Sequence, residues 1–197
     1  MATKKSNLKN WRPATQMVRG GLERSQFDET CEALYMTSGY IYSSPEEAQS
    51  AFEGEKERFL YSRYANPTVA MLEERLRLLE GAKHCKTTAS GMAAVFAALA
   101  CQLQKGDRIV ASRALFSSCL HILTEILPTY GITSILVDGT DLDQWAKALS
   151  QPTDAVFLET PSNPTLEIID IKAVSELAHN AGASVIVDNV FATPLLQ

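Results

Sequence analysis

The carboxylate best placed to do chemistry in this sequence is Asp188, which directly follows the apolar run 185–187. A carboxylate at the mouth of a buried strand can keep a pyridinium nitrogen protonated, and the ring then accepts electrons from a substrate carbanion. A capping or turn aspartate is the alternative interpretation of this residue taken alone. Asp188 is therefore a candidate site residue whose role depends on its surroundings.

A second candidate site opens the apolar segment that begins at residue 91, in the run TTASGM over residues 87–92. Ser90 is a good helix N-cap, and Gly91 lets the backbone approach a ligand closely. Free N–H groups and the helix dipole at such an end favour a phosphate. A plain N-cap without a ligand is the alternative for this run alone.

Three further side chains suit a flat, phosphorylated ligand. Asn163 lies in the proline-containing run 159–164 and could direct its amide at a ring oxygen. Arg63, in the run 61–67, has the forked guanidinium that matches a phosphate. Phe116 follows an apolar run and could stack on a flat ring. A turn asparagine, a surface arginine and a core or rim aromatic are the commoner explanations of each residue alone.

The elements that would position these residues alternate along the chain. Short, β-branched apolar runs predict strands over residues 108–112, 132–137, 155–159 and 184–187. Helical spacing predicts helices over residues 68–80, 91–104, 117–130, 141–150 and 171–181. The helix over residues 91–104 is apolar nearly all round, so we expect it to be buried. This alternation predicts an α/β fold with a mostly parallel sheet covered by helices on both faces. The segments 113–118, 159–163 and 188–194 should then meet beyond the carboxyl ends of the strands, where ligands bind.

The chain divides by composition into residues 1–65, an irregular N-terminal arm, and residues 66–197, an α/β domain. A long arm of this kind can be a loop, or it can wrap around a partner subunit. Residues 1–10 carry three lysines and no acid, which predicts a mobile basic tail. No apolar core follows them, so we do not expect a secretory signal.

The composition excludes several classes of function. A net charge of −5 and a pI near 5.3 argue against nucleic-acid binding, and no apolar stretch reaches the length of a membrane span. The four cysteines are scattered without a CxxC pair, which predicts free thiols in the cytoplasm and neither a disulfide framework nor a metal site. No GxGxxG follows the first strand, so a Rossmann-type nucleotide site is the weaker rival.

Four motifs together, in this order, give the sequence a family resemblance. The runs YSRYANPT (61–68), ASGM (89–92), ETPSNP (159–164) and VDNVFATP (187–194) resemble the Cys/Met-metabolism family of pyridoxal-phosphate (PLP) enzymes. The resemblance implies the large α/β domain of a PLP-dependent transferase of the aspartate aminotransferase type. It also implies a preceding arm and a smaller C-terminal domain that this sequence does not contain.

The same resemblance implies roles for the candidate residues of the α/β domain. Ser90, Gly91 and Met92 would bind the cofactor phosphate. Asp188 would pair with the pyridine nitrogen, and Asn163 would contact the ring hydroxyl oxygen. The Schiff-base lysine lies in a Ser-x-Thr-Lys segment in the family, which places it beyond Gln197, so no catalytic residue is assigned within the chain.

The arm and the first strand carry the remaining implied roles. Tyr61 and Arg63 would reach across a dimer interface to the phosphate in the neighbouring subunit, which predicts a homo-oligomer, either a dimer or a dimer of dimers, with shared active sites. Phe116 stands where many relatives have a tyrosine, so it can stack on the ring but cannot move a proton. Ser117 replaces a glycine that is usual there, and nothing in the sequence explains this change.

Further residues are similar to the branch of the family that joins O-succinyl-L-homoserine to sulfide. They are VRGG (18–21), EAL (32–34), TSGY (37–40), ALFSSC (114–119), VDG (137–139) and DNVF (188–191). The implied reaction is a γ-replacement that yields L-homocysteine and succinate, with small-molecule substrates only. The alternatives are a cystathionine γ-synthase or γ-lyase, an O-acetylhomoserine donor, and a non-enzymatic partner that lacks the Schiff-base lysine. The 197 residues alone are expected to be inactive.

Overall fold

A computed structural model of the chain describes residues 11–197. The predicted basic tail, residues 1–10, lies outside the described residues. The contacts divide the chain into two compact units, Met1–Thr87 and Thr88–Gln197. Residues 66–87, which the sequence analysis grouped with the sheet, belong to the first unit by their contacts.

The first unit contains three helices, α1 (Pro13–Arg19), α2 (Pro45–Phe52) and α3 (Pro67–Leu79). Each begins at a proline, whose fixed φ suits the first helical turn. Ser44 caps α2 and Asn66 caps α3 through side-chain oxygens that accept backbone N–H groups. The prediction that residues 1–65 are irregular was therefore wrong for α1 and α2, because helices of seven and eight residues are too short to display a clear period.

Helix α3 packs against the end of α1, and the backbone of Gly21 comes very close to the backbone of α3 there. An added Cβ at Gly21 would lie 2.5 Å from the Met71 carbonyl oxygen, and the φ of Gly21 is +71°. Glycine is the residue that tolerates both conditions. Arg75 fixes the same corner, since it donates to the Gly20 carbonyl at 2.9 Å and pairs with Glu32.

The second unit is built on four parallel strands in the order β2-β1-β3-β4. They are β1 (Arg108–Ser112), β2 (Thr133–Val137), β3 (Ala155–Glu159) and β4 (Ser184–Asp188). The prediction of a parallel sheet is confirmed, and each strand begins and ends within one residue of its predicted limits. Glu159 and Asp188 are register partners at the carboxyl ends of β3 and β4.

Helices cover both faces of this sheet, as predicted. Ile109, Ala111 and Phe157 point to one face and Val110, Val156 and Leu158 to the other, the alternation expected of strands buried on both sides. The first face carries α4 (Gly91–Ala100) and α5 (Ser117–His121). Helix α5 continues through a π-helical turn (Ile122–Ile126) into α6 (Leu127–Thr129). The second face carries α7 (Leu142–Ala148) and α8 (Ile171–Asn180). Helix α9 (Thr193–Leu196) follows β4. Within residues 11–197, no helix is long and apolar enough to cross a membrane.

The expectation that the helix at residue 91 is buried on all sides was wrong. Helix α4 ends at Ala100, and Leu99 is its one fully buried residue. Met92, Val95 and Phe96 pack partly against the core, while the alanines of the opposite face are exposed. Composition alone could not show this, because an alanine-rich helix is apolar on the face that meets the sheet and on the face that does not.

Candidate functional site

A cavity of about 550 Å³ lies beyond the carboxyl ends of β1, β3 and β4, beside the start of α4. Six of the predicted site residues line it: Ser90, Gly91, Met92, Phe116, Asn163 and Asp188. Topology explains this convergence, because the carboxyl ends of parallel strands share one edge of the sheet.

The start of α4 presents two free amides to this cavity. The Ser90 hydroxyl accepts the Ala93 N–H at 3.2 Å, and the Ser90 carbonyl accepts the Ala94 N–H at 3.1 Å. The N–H groups of Gly91 and Met92 have no acceptor among the described residues. A Cβ added to Gly91 would meet no atom within 4 Å, so a ligand can approach the backbone here. Two unpaired amides at the positive end of a ten-residue helix suit an anion.

Asp188 ends β4 and lines the same cavity as the start of α4. Its Oδ1 accepts the Val190 N–H at 3.1 Å, which makes the tight turn that the alternative interpretation predicted. Its Oδ2 accepts no hydrogen bond from any residue that the structure describes. The turn interpretation of Asp188 is therefore confirmed, and its second oxygen remains available to a cationic N–H group.

Glu159, the buried carboxylate of the cavity, was not predicted as a site residue. Glu159 is 1% exposed at the end of β3. Its Oε2 accepts the Phe116 N–H at 2.6 Å, and its Oε1 accepts the Asn163 N–H at 3.1 Å. Burial raises the pKa of Glu159; the two N–H donors oppose that shift, and the neighbouring charge of Asp188 adds to it. The available signal was an acidic residue that closes an otherwise apolar strand.

Phe116 and Asn163 come from the loops after β1 and β3, as predicted. Phe116 is 37% exposed and lines the cavity, so part of it is open to a ligand. The loop of Asn163 is held from within by the buried Ser162, whose hydroxyl accepts the Glu167 N–H at 3.0 Å and lies 2.7 Å from the Thr165 hydroxyl. These contacts give the loop a defined shape beside the cavity.

Cys119 also lines the cavity and was not predicted as a site residue. It is 1% exposed in the first turn of α5, with its Sγ 3.9 Å from the Met92 Sδ. Burial raises the pKa of Cys119 to about 11, and the charges of Asp188 and Glu159 add to the shift. The thiol is therefore protonated at neutral pH and packs as an apolar group rather than acting as a nucleophile.

Tyr61 and Arg63, the two remaining predicted residues, lie in the first unit. The Arg63 guanidinium lies over the rings of Tyr64 at 4.6 Å and Tyr61 at 5.5 Å. Arg63 is exposed and has no carboxylate partner among the described residues. Tyr61 also forms an isolated antiparallel bridge with Gly39. An exposed, unneutralised guanidinium braced by two aromatic rings is suited to an anion.

The residues of the cavity fit a flat, phosphorylated ring. The free amides of α4 suit a phosphate, Phe116 offers an aromatic face, and Asp188 offers a carboxylate for a protonated ring nitrogen. Asn163 adds an amide that can donate to a ring oxygen.

The chain is similar in sequence to known proteins of one enzyme family. The family profile described as "Cys/Met metabolism PLP-dependent enzyme" matches residues 14–197. An O-succinylhomoserine sulfhydrylase of Mycobacterium tuberculosis is 60% identical over 93% of the chain, a span that covers 45% of that protein. An L-methionine gamma-lyase of Fusobacterium nucleatum is 35% identical over 100% of the chain and is covered to 49%.

A solved structure shows the same fold. A Campylobacter jejuni protein, provisionally named O-acetylhomoserine (thiol)-lyase and solved with a pyridoxyl-lysine monophosphate residue, superposes with a TM-score of 0.87. The two sequences are 30% identical, and the match covers 94% of this chain and 46% of the other. The chain therefore spans less than half the length of the relatives that it matches.

Proposed function

Because the chain belongs to the Cys/Met metabolism PLP-dependent enzyme family, we propose that it forms the cofactor-binding part of an O-succinylhomoserine sulfhydrylase. The reaction is a γ-replacement in which O-succinyl-L-homoserine and sulfide give L-homocysteine and succinate, a step of methionine biosynthesis. The observation that carries the proposal is the convergence, in one cavity, of the free amides of α4 and the carboxylate of Asp188. The identity of 60% to the Mycobacterium tuberculosis relative favours this substrate pair within the family.

The predicted site residues that line the cavity each have a proposed task toward the cofactor. When bound, pyridoxal phosphate withdraws electrons from the substrate Cα and so stabilises a carbanion there. The Gly91 and Met92 amides bind the phosphate, with Ser90 fixing the helix end. Asp188 holds a proton at the pyridine nitrogen through its free Oδ2. Asn163 binds the ring hydroxyl oxygen.

Phe116 covers one face of the ring and keeps water from it. A phenyl ring carries no ionisable proton, so proton transfer at the substrate depends on other groups. We place the main one, the Schiff-base lysine, beyond Gln197, because no lysine of this chain lies in a Ser-x-Thr-Lys segment. The 197 residues by themselves are then inactive.

The protein is further proposed to act as a homo-oligomer in the cytoplasm. Tyr61 and Arg63 are the residues that complete the phosphate site of a neighbouring subunit. The exposed guanidinium of Arg63, which has no carboxylate partner within residues 11–197, supports this role.

The test of the proposed function is a product assay on the full-length protein. Incubation with O-succinyl-L-homoserine and sulfide should give homocysteine and succinate. Cystathionine formed only with cysteine would assign a cystathionine γ-synthase instead, and turnover without any sulfur acceptor would assign a γ-lyase. O-acetyl-L-homoserine in parallel reactions identifies the preferred donor ester.

The non-enzymatic alternative, a partner protein without a Schiff-base lysine, is tested separately. Intact mass on the purified protein gives the true chain length. A visible absorption band that borohydride bleaches reveals a lysine-bound cofactor. A chain of 197 residues without this band would favour the inactive partner.

A further inference from the structure

We infer that Glu159 is the positioning residue that fixes Phe116 and Asn163 relative to each other at the cavity, where they would hold the cofactor ring; this inference rests on the proposed function. Phe116 and Asn163 lie 47 positions apart in the sequence and belong to different loops. Glu159 is the one side chain that bonds to the backbone of both among the described residues.

The bonding geometry of Glu159 is that of a bridge. One carboxylate oxygen accepts the Phe116 N–H at 2.6 Å and the other accepts the Asn163 N–H at 3.1 Å. Both oxygens are therefore acceptors, which is the pattern of the ionised side chain. Charge-assisted bonds of this kind are stronger than neutral ones, so the carboxylate links the loops after β1 and β3 to each other.

The position of Glu159 makes this bridge rigid. The residue closes β3, which is buried along its whole length, and its side chain is 1% exposed. β3 pairs with both β1 and β4, so the carboxylate lies between the strand that precedes the Phe116 loop and the strand that ends at Asp188. A water molecule cannot easily replace a bond at a site of this burial.

The consequence concerns the placement of the ring rather than its chemistry. Phe116 is the stacking group and Asn163 the amide at the ring oxygen, so their separation determines where the ring can lie. Asp188, the register partner of Glu159 on the next strand, would hold the ring nitrogen independently of this bridge. Loss of the bridge should loosen the first two contacts and leave Asp188 in place.

The variant that tests the bridge is Glu159→Gln in the full-length protein, with Glu167→Gln as the matched control. Glutamine keeps the size of the side chain but has one acceptor oxygen, so it can keep only one of the two bonds. Glu167 lies in the same loop region, and its side chain makes no hydrogen bond or ion pair in the part of the chain described here.

Three measurements are made on the wild type and on each variant. Hydrogen exchange in the cofactor-free state reports on the amides of Phe116 and Asn163. Titration with pyridoxal phosphate gives the concentration for half saturation, and visible circular dichroism reports the orientation of the bound ring. For Glu159→Gln we expect exchange about tenfold faster at one or both amides, about tenfold weaker cofactor binding and an altered dichroism band. Glu167→Gln should match the wild type in all three.

The outcomes separate this inference from the proposed function. A wild type that binds no pyridoxal phosphate contradicts both. A wild type that binds it, with Glu159→Gln indistinguishable in exchange and dichroism, contradicts the role of Glu159 alone. If Glu159→Gln does not fold, hydrogen exchange in the wild type decides. Amides of Phe116 and Asn163 that are as unprotected as those of exposed loops would overturn the bridge. Protection of these two amides equal to that of β3 would support it.

Discussion

At the scale of single residues, Asp188 combines a structural contact with a free functional group. Its Oδ1 accepts the Val190 N–H, and its Oδ2 has no donor among the described residues. A substitution can therefore separate the two contributions. Asparagine retains the Oδ1 acceptor and so the turn, but it removes the negative charge that a protonated ring nitrogen requires.

We expect Asp188→Asn and Asp188→Ala in the full-length enzyme to lower kcat by about 100-fold or more, because the pyridine nitrogen would no longer be held protonated. The fold should survive both changes, with Asp188→Asn closer to the wild type in thermal unfolding since it keeps the turn. Steady-state kinetics and circular dichroism melting curves measure the two effects. Near-normal turnover by either variant would remove the proposed role of Asp188.

The residues of the cavity differ in how well the sequence could predict them. Ser90, Asn163 and Asp188 were predicted because each follows or precedes a recognisable element, and parallel topology brings such positions together. Glu159 and Cys119 were missed because their importance comes from burial and from partners 43 or 27 residues away. Local sequence carries no record of those contacts.

At the scale of elements, helix α2 shows how one side chain fixes a short helix to the segment after it. Glu47 accepts the Ser43 N–H at 2.7 Å and pairs with Lys56 at 2.5 Å and Arg58 at 3.0 Å. The Ser44 hydroxyl accepts the Glu47 N–H, so the start of α2 resembles a capping box. The hydrogen bond from Lys56, followed by those from Ser43, lowers the pKa of Glu47 to about 2.

This lowered pKa predicts a pH-dependent contribution to stability. A carboxyl whose pKa is lower in the folded state stabilises the fold above its ordinary value of 4.5 and loses that contribution as pH falls towards about 2. Glu47→Gln should therefore lower Tm at neutral pH, and the difference from the wild type should shrink as the pH falls to about 3. Calorimetric scans of the full-length protein across this range measure the difference.

The control for this prediction is Glu57→Gln, which removes the same charge nearby. Glu57 is exposed, and its side chain makes no hydrogen bond or ion pair within residues 11–197. Its substitution should leave Tm almost unchanged at every pH. A Glu47→Gln difference that stays constant or grows on acidification would show that the ion pairs do not stabilise α2.

The elements of the second unit were predicted closely, and the reason is physical. β1 and β3 are buried along most or all of their length and so contain apolar runs, which make their limits visible in the sequence. The π-helical turn at Ile122–Ile126 was not visible, although Pro128 lies just after it and cannot donate a helical hydrogen bond. The partial exposure of α4 also depends on packing partners that its composition does not specify.

At the scale of the whole molecule, the first unit leaves large apolar side chains exposed. Phe27, Leu34, Met36 and Ile41 are each at least 75% exposed. So many uncovered apolar groups favour burial against a partner subunit or another part of the protein. With the exposed guanidinium of Arg63, they are in keeping with the proposal of an active site shared between subunits.

A shared site makes a specific prediction for mixed oligomers. If Arg63 serves the neighbouring subunit and Asp188 its own, a dimer of one Arg63→Ala subunit and one Asp188→Ala subunit contains one intact site and one doubly altered site. Co-expression at equal levels makes about half of the dimers mixed, so activity should recover to about one quarter of the wild type. The assay is homocysteine formation by the purified mixture, compared with each parent variant.

The matched control is a mixture of Asp188→Ala and Asn163→Ala subunits. Both residues line the same cavity of one unit, so every mixed dimer has two damaged sites and no activity should return. Recovery in the Arg63 mixture alone would place Arg63 in the site of the partner. Activity of that mixture no higher than the mean of its parents would instead mean that Arg63 acts within its own subunit or outside the site, and the symmetric arrangement of shared sites would have to be abandoned.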